Sequence, residues 1–189
     1  MIGLREEIVH RWRARVSNHV FAREILRDRG DQVSIYDGTI FRPAPTGENE
    51  GPDPLLRPAA AAFGSAFNAY VAEALGYHTN QPYRVLARDV SRQWNWEGER
   101  QAGSRGLPMA SLEAALLAHP GTKVLIANGR YDLVTPYLAS RWLIDQLNIP
   151  EATRKAITLK VYEGGHMMYM RPDSRAALAN DAAALITAP

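Results

Sequence analysis

Apolar residues fall at every fourth position near the amino terminus, at Leu4, Ile8, Trp12, Val16 and Val20, and this spacing predicts one amphipathic helix. The arginines and acids between them make its solvated outer face. Farther on, QVSIYDGTIF carries two short strand-like runs around Asp37-Gly38, which predicts a β-hairpin. The proline-, glycine- and acid-rich RPAPTGENEGPDPLLRP predicts a loop. After it, PAAAAFGSAFNAYVAEAL predicts a helix over 58–75, stopped by Gly76. From Tyr77 to Gly106 no period stands out, so short helix and loop are expected, with Trp94 and Trp96 packed in the core or against a helix end.

The pattern then becomes regular. Ser111 is placed to cap a helix over LEAALLAH that Pro120-Gly121 ends, and KVLIAN has the nearly continuous apolar character of a buried parallel strand. Thr135 and Pro136 open a helix running to Leu147, ITLKVY alternates as a strand, and Asp173 caps a last helix through about Ile186. Helix, strand, helix, strand, helix is the order of a parallel sheet with crossover helices, so the expected class is α/β. Two regions follow: 1–110, mostly helical with a hairpin and long loops, and 111–189, the regular α/β part.

Composition narrows the partners. With 22 Lys and Arg against 20 Asp and Glu, the net charge of +2 is too small to argue for nucleic acid. Cysteine is absent, which excludes disulfides, thiolate nucleophiles and Cys-based zinc sites. No apolar run reaches the length of a membrane span, and the first ten residues carry charges where a secretory signal needs an apolar core. Neither a dinucleotide glycine fingerprint, a phosphate loop nor His-Glu-x-x-His occurs, so no cofactor and no metal are expected. The tripeptide RGD at 29–31 sits at a helix-to-hairpin join and is short enough to recur by chance.

Chemistry concentrates after the two regular strands. Asp132 follows the first and His166 the second, and in parallel sheets the loops leaving the carboxyl ends gather at one rim. One crossover helix and one strand separate them, so adjacent strands deliver both side chains together. A serine hydroxyl needs an imidazole to take its proton, and the imidazole needs a carboxylate to fix its tautomer. Gly164 and Gly165 free the backbone to present the ring. The residue types alone leave a second reading open: an Asp that binds amides ahead of a helix and a His packed among methionines.

The segments VLIANGRYDLVTPYLASRWLIDQL and LKVYEGGHMMYMRPDSRAALANDA resemble the carboxyl-terminal part of bacterial serine carboxypeptidases, a branch of the α/β-hydrolase fold. VFAREILRDRGDQVSIYDGTI and GPDPLL are similar to that family's cap insertion, so the likeness spans most of the chain. It implies an incomplete α/β-hydrolase with a helical cap, in which Asp132 and His166 belong to a Ser-Asp-His triad that hydrolyses carboxyl-terminal peptide bonds. Met167 matches the methionine that helps line the pocket for the substrate's terminal residue.

The family's nucleophile elbow, Gly-x-Ser-x-Gly, has no counterpart. Gly47 and Gly51 have that spacing, but Asn49 lies between them, and Ser65, Ser104 and Ser140 lack the context. The oxyanion-hole segment and the acid that binds the peptide's terminal carboxylate are also missing. The resemblance therefore implies the second half of a longer or two-chain enzyme, inactive as a peptidase alone, whose partner is an amino-terminal half carrying the serine. It also implies an unpaired apolar sheet edge. Relatives are often periplasmic or secreted. Alternatives are an esterase or acyltransferase of the same fold, and a non-catalytic interaction module.

Overall fold

The computed structural model describes residues 3–46, 51–81, 83–94 and 108–187. The expected first helix is two: α1 over Glu6–Arg11 and α2 over Asn18–Glu24. Between them Arg13 and Ala14 take left-handed conformations, with φ of 49° and 59°, and Ser17 restarts the helix by accepting the Val20 amide at 3.3 Å. The apolar repeat is continuous across this break because Val16 and Val20 belong to the second segment's approach and first turn.

The hairpin is present as β1, Asp31–Val33, and β2, Phe41–Pro43, antiparallel with Gln32 opposite Arg42. Its connection is longer than a two-residue turn. Ser34, fully buried, closes it: its amide donates to the Ile40 carbonyl at 2.8 Å, and its hydroxyl accepts from the amides of Tyr36 and Asp37. Asp53 locks the turn from outside, taking the Ser34 hydroxyl at 2.7 Å and the Ile35 amide at 3.0 Å. The same carboxylate accepts the Leu55 and Leu56 amides, so α3, Leu56–Glu73, starts ahead of its predicted position. Gly76, at φ 61°, follows its end. Then comes α4, Arg88–Gln93. Trp94 is 62% exposed, so it is not a core residue; Trp96, Ser104 and Gly47 through Glu50 lie outside the described residues.

In the regular part, α5 spans Pro108–Ala118 and so begins upstream of Ser111, which is an interior residue of the helix and not its cap. Proline suits the first helical position, where no amide is needed. The strands β3, Val124–Gly129, and β4, Ile157–Tyr162, pair in parallel from Val124 opposite Ile157 to Gly129 opposite Tyr162. Between them run α6, Tyr137–Gln146, and a four-residue helix the pattern did not signal, α7, Glu151–Arg154. Arg154 explains α7: its guanidinium donates to the carbonyls of Ile144 and Leu147, satisfying the end of α6. The last helix, α8, covers Pro172–Thr187; Asp173 lies in its first turn, where its charge suits the helix dipole, and not at the cap.

The chain is thus a mixed helix-and-strand protein with one small parallel and one small antiparallel sheet. Leu116, Leu147 and Ile149 form a buried cluster, with Leu112, Val124 and Ile157 packed on it, so α5, the α6–α7 connection and the starts of β3 and β4 share one core. Tyr162 ties α8 to the sheet by donating to Asp181 at 2.7 Å. Among the described residues the parallel sheet has only these two strands, and on α6 Leu138 and Trp142 are 66% and 61% exposed. No described helix is long and apolar enough to cross a membrane.

Candidate active site

Both loops that leave the parallel strands turn back over the same end of the sheet. After β3, Arg130 and Tyr131 donate their amides to the carbonyls of Tyr162 and Gly164, which extends the pairing one step past the strands and brings the two loops together. Glycine is required at the crossing. A Cβ on Gly129 would lie 1.9 Å from the Gly165 carbonyl oxygen, and one on Gly165 would lie 2.0 Å from that of Tyr36. Gly164 takes φ 120°, a conformation that L side chains rarely adopt.

Asp132 is 4% exposed and nothing about it is idle. Its Oδ1 accepts the amides of Val134 at 2.7 Å and Thr135 at 3.0 Å. Its Oδ2 accepts the Thr135 hydroxyl at 2.5 Å and faces His166 Nδ1 at 2.9 Å. Burial works to raise the carboxyl's pKa, but the Thr135 hydroxyl and amide, the imidazole and the Val134 amide together outweigh it and hold the group below its ordinary value. Asp132 therefore stays ionised, and with this bond assigned as Nδ1–H donating, His166 keeps Nε2 as its free nitrogen.

The His166 side chain is 40% exposed, and its Nδ1 is occupied by the Asp132 carboxylate. Among the described residues Nε2 has no hydrogen-bond partner. The ring's position is set from a third direction that the sequence pattern missed: the hairpin turn. His166 donates its amide to the Tyr36 carbonyl at 2.6 Å, and the Tyr36 ring meets the imidazole edge-on with centroids 5.7 Å apart. Gly38 donates to the Tyr131 carbonyl and Leu133 to that of Ile35, so the turn lies across both rim loops.

The structure thus brings Asp132 and His166 together. Met167 follows directly, half-buried at the entry to a short 3-10 turn over Met168–Met170, and it is Met168 that is buried. Thr135, expected as a helix cap, has its hydroxyl on Asp132 instead, and α6 starts after Pro136 without a side-chain cap. A Thr three residues after an Asp in a turn was the available signal. Asn128 was also missed: it is 6% exposed, donates Nδ2 to the Thr135 carbonyl at 2.9 Å, and its Oδ1 has no partner among the described residues.

Two ion pairs lie on the hairpin turn and the rim loops, and among the described residues neither bonds to the Asp132–His166 pair. Asp37 is 3.9 Å from Arg171, and Glu163 is 2.5 Å from Arg130. The Arg130 guanidinium and the Tyr131 hydroxyl hold the Glu163 carboxyl below its ordinary pKa. Ser65 and Ser140 lie within α3 and α6, and among the described residues no serine hydroxyl bonds to His166 and no cluster of three metal-ligating side chains occurs. Compared with family models, curated proteins and solved structures, the chain matches none.

Proposed function

We propose that this chain supplies the carboxylate and the imidazole of a serine-type hydrolytic site, as the carboxyl-terminal portion of a serine carboxypeptidase of the α/β-hydrolase fold. The observation that carries the reading is the pairing of a buried Asp132 with His166 Nδ1 at 2.9 Å, with Nε2 left uncommitted among the described residues. In this reading a serine hydroxyl from an amino-terminal half meets Nε2. As oxygen attacks the peptide carbonyl, His166 takes its proton, and Asp132 remains charged and stabilises the imidazolium. The proton then passes to the leaving amine, the terminal amino acid departs, and water repeats the sequence on the acyl-enzyme. Met167 borders the pocket for the released residue.

The chain alone has no nucleophile in this scheme and is inactive as a peptidase. The test is reconstitution: the chain is co-expressed with the amino-terminal half of a bacterial serine carboxypeptidase carrying Gly-x-Ser-x-Gly, and release of carboxyl-terminal amino acids from peptides is measured. Activity that His166→Ala abolishes supports the proposal, with Asp132→Asn lowering it roughly 10³–10⁴-fold. A stable complex that releases no amino acid from any peptide, yet cleaves simple esters, moves the assignment to an esterase or acyltransferase.

A further inference from the structure

Asp132 Oδ2 accepts two hydrogens, one from the imidazole and one from the Thr135 hydroxyl, and holding the loop in place requires only the first oxygen. Oδ1 already takes the Val134 and Thr135 amides, which close the turn. We propose that Thr135 is a positioning residue whose hydroxyl, by sharing Oδ2, sets how much of the Asp132 charge reaches the His166 ring. The proposal deepens the dyad reading and rests on it only for its catalytic meaning.

Thr135 is held for this task at three points. Its carbonyl accepts Asn128 Nδ2 at 2.9 Å, its amide is on Oδ1 at 3.0 Å, and its hydroxyl is on Oδ2 at 2.5 Å. The hydroxyl oxygen also lies 3.4 Å from Nδ1, so it stands beside the Asp–His bond and on the carboxylate's own oxygen. A hydroxyl has a single proton, and the short distance places it toward Oδ2. A donor there withdraws negative charge from the oxygen that faces the ring, makes that oxygen less basic, and keeps the shared hydrogen on nitrogen.

Among the described residues no side chain besides His166 and Thr135 bonds to Oδ2. On the hairpin turn, Tyr36 presents its ring edge, and Asp37 is paired with Thr39 and Arg171. On the strand ends, Arg130, Tyr131 and Glu163 interact with one another. Thr135 is therefore the group through which a neutral change of side chain alters the pair without altering its charge.

The experiment follows the full chain by NMR, without any nucleophile or substrate. Wild type is compared with Thr135→Val, Thr135→Ala and Thr135→Ser, reading the Asp132 carboxyl titration by ¹³C and the His166 Nδ1–H proton resonance. The expected result is an upward shift of the Asp132 titration and a downfield move of Nδ1–H in the Val and Ala variants, both returned to wild type in the Ser variant. A Nδ1–H resonance unchanged in the Val and Ala variants overturns the proposal, even if the carboxyl titration moves. So does loss of fold in both with the Ser variant intact, which would make the hydroxyl purely structural. Because the readout is independent of hydrolysis, failed reconstitution with a serine-bearing half leaves it standing or falling by itself.

Discussion

Removing the Asp132 carboxylate tests the site at its most committed group. Asp132→Ala strips the acceptor from the amides of Val134 and Thr135, from the Thr135 hydroxyl and from the imidazole. Val134 and Thr135 are exposed, so water reaches the freed amides, and each costs about 0.5–1 kcal/mol. The hydroxyl and imidazole bonds are charge-assisted, but the half-open ring is screened by solvent, which brings the whole to about 2–4 kcal/mol. Asp132→Asn keeps the two amide bonds through its carbonyl and turns its amino group toward the ring, so it costs about 1 kcal/mol and forces the proton from Nδ1 to Nε2.

Urea unfolding followed by tryptophan fluorescence reads the stabilities, and ¹⁵N shifts of the ring read the tautomer. The pH dependence has a definite sign. Because the folded state holds this carboxyl below its ordinary value, its ionisation adds stability that is complete above the unfolded value of about 4 and fades as pH falls through the depressed folded value. The gap between wild type and Asp132→Asn should narrow on acidification from there. An Ala variant within about 0.5 kcal/mol of wild type at neutral pH, or a gap that widens in acid, refutes the reasoning.

Three further outcomes follow from the packing. Gly165→Ala places a methyl 2.0 Å from the Tyr36 carbonyl, so the hairpin turn must separate from the rim; a loss of roughly 3 kcal/mol or more is expected, with the His166 amide gaining hydrogen exchange. Ala14→Gly relieves a residue at φ 59° and should raise stability by about 0.5–1 kcal/mol in thermal melts, whereas no gain would mean that the turn is not formed in solution. Burial and the Asp181 carboxylate push the Tyr162 phenol up to about 12, so ultraviolet titration should show a late tyrosine near that value that Tyr162→Phe removes.

Local pattern carried the regular half of the chain well. The apolar run of β3, the alternation of β4 and the helices flanking them are set by neighbours in sequence, and Asp132 and His166 are candidates because each stands after a strand. The contacts that complete the site are of another kind. Tyr36 holds His166 through a backbone carbonyl, a bond that almost any residue at position 36 would make and that no side-chain type announces. The break at Arg13 and Ala14 is likewise silent, because neither residue favours a left-handed backbone. Thr135 misled for the opposite reason: Thr before Pro is a good helix cap, and here the deeper carboxylate competes for the same hydroxyl.

The meeting of Tyr36 with His166 joins two segments that α3 through β4 separate along the chain. The hairpin turn is made before the His166 loop, with its seat for the imidazole shaped by Ser34 and Asp53, and it waits while the segments between them are synthesised. Contacts so distant along the chain close late, after shorter-range structure has formed. An interrupted product lacking the His166 loop therefore presents an empty seat and an isolated carboxylate, and the proton-handling pair exists only in molecules that have been read past that loop.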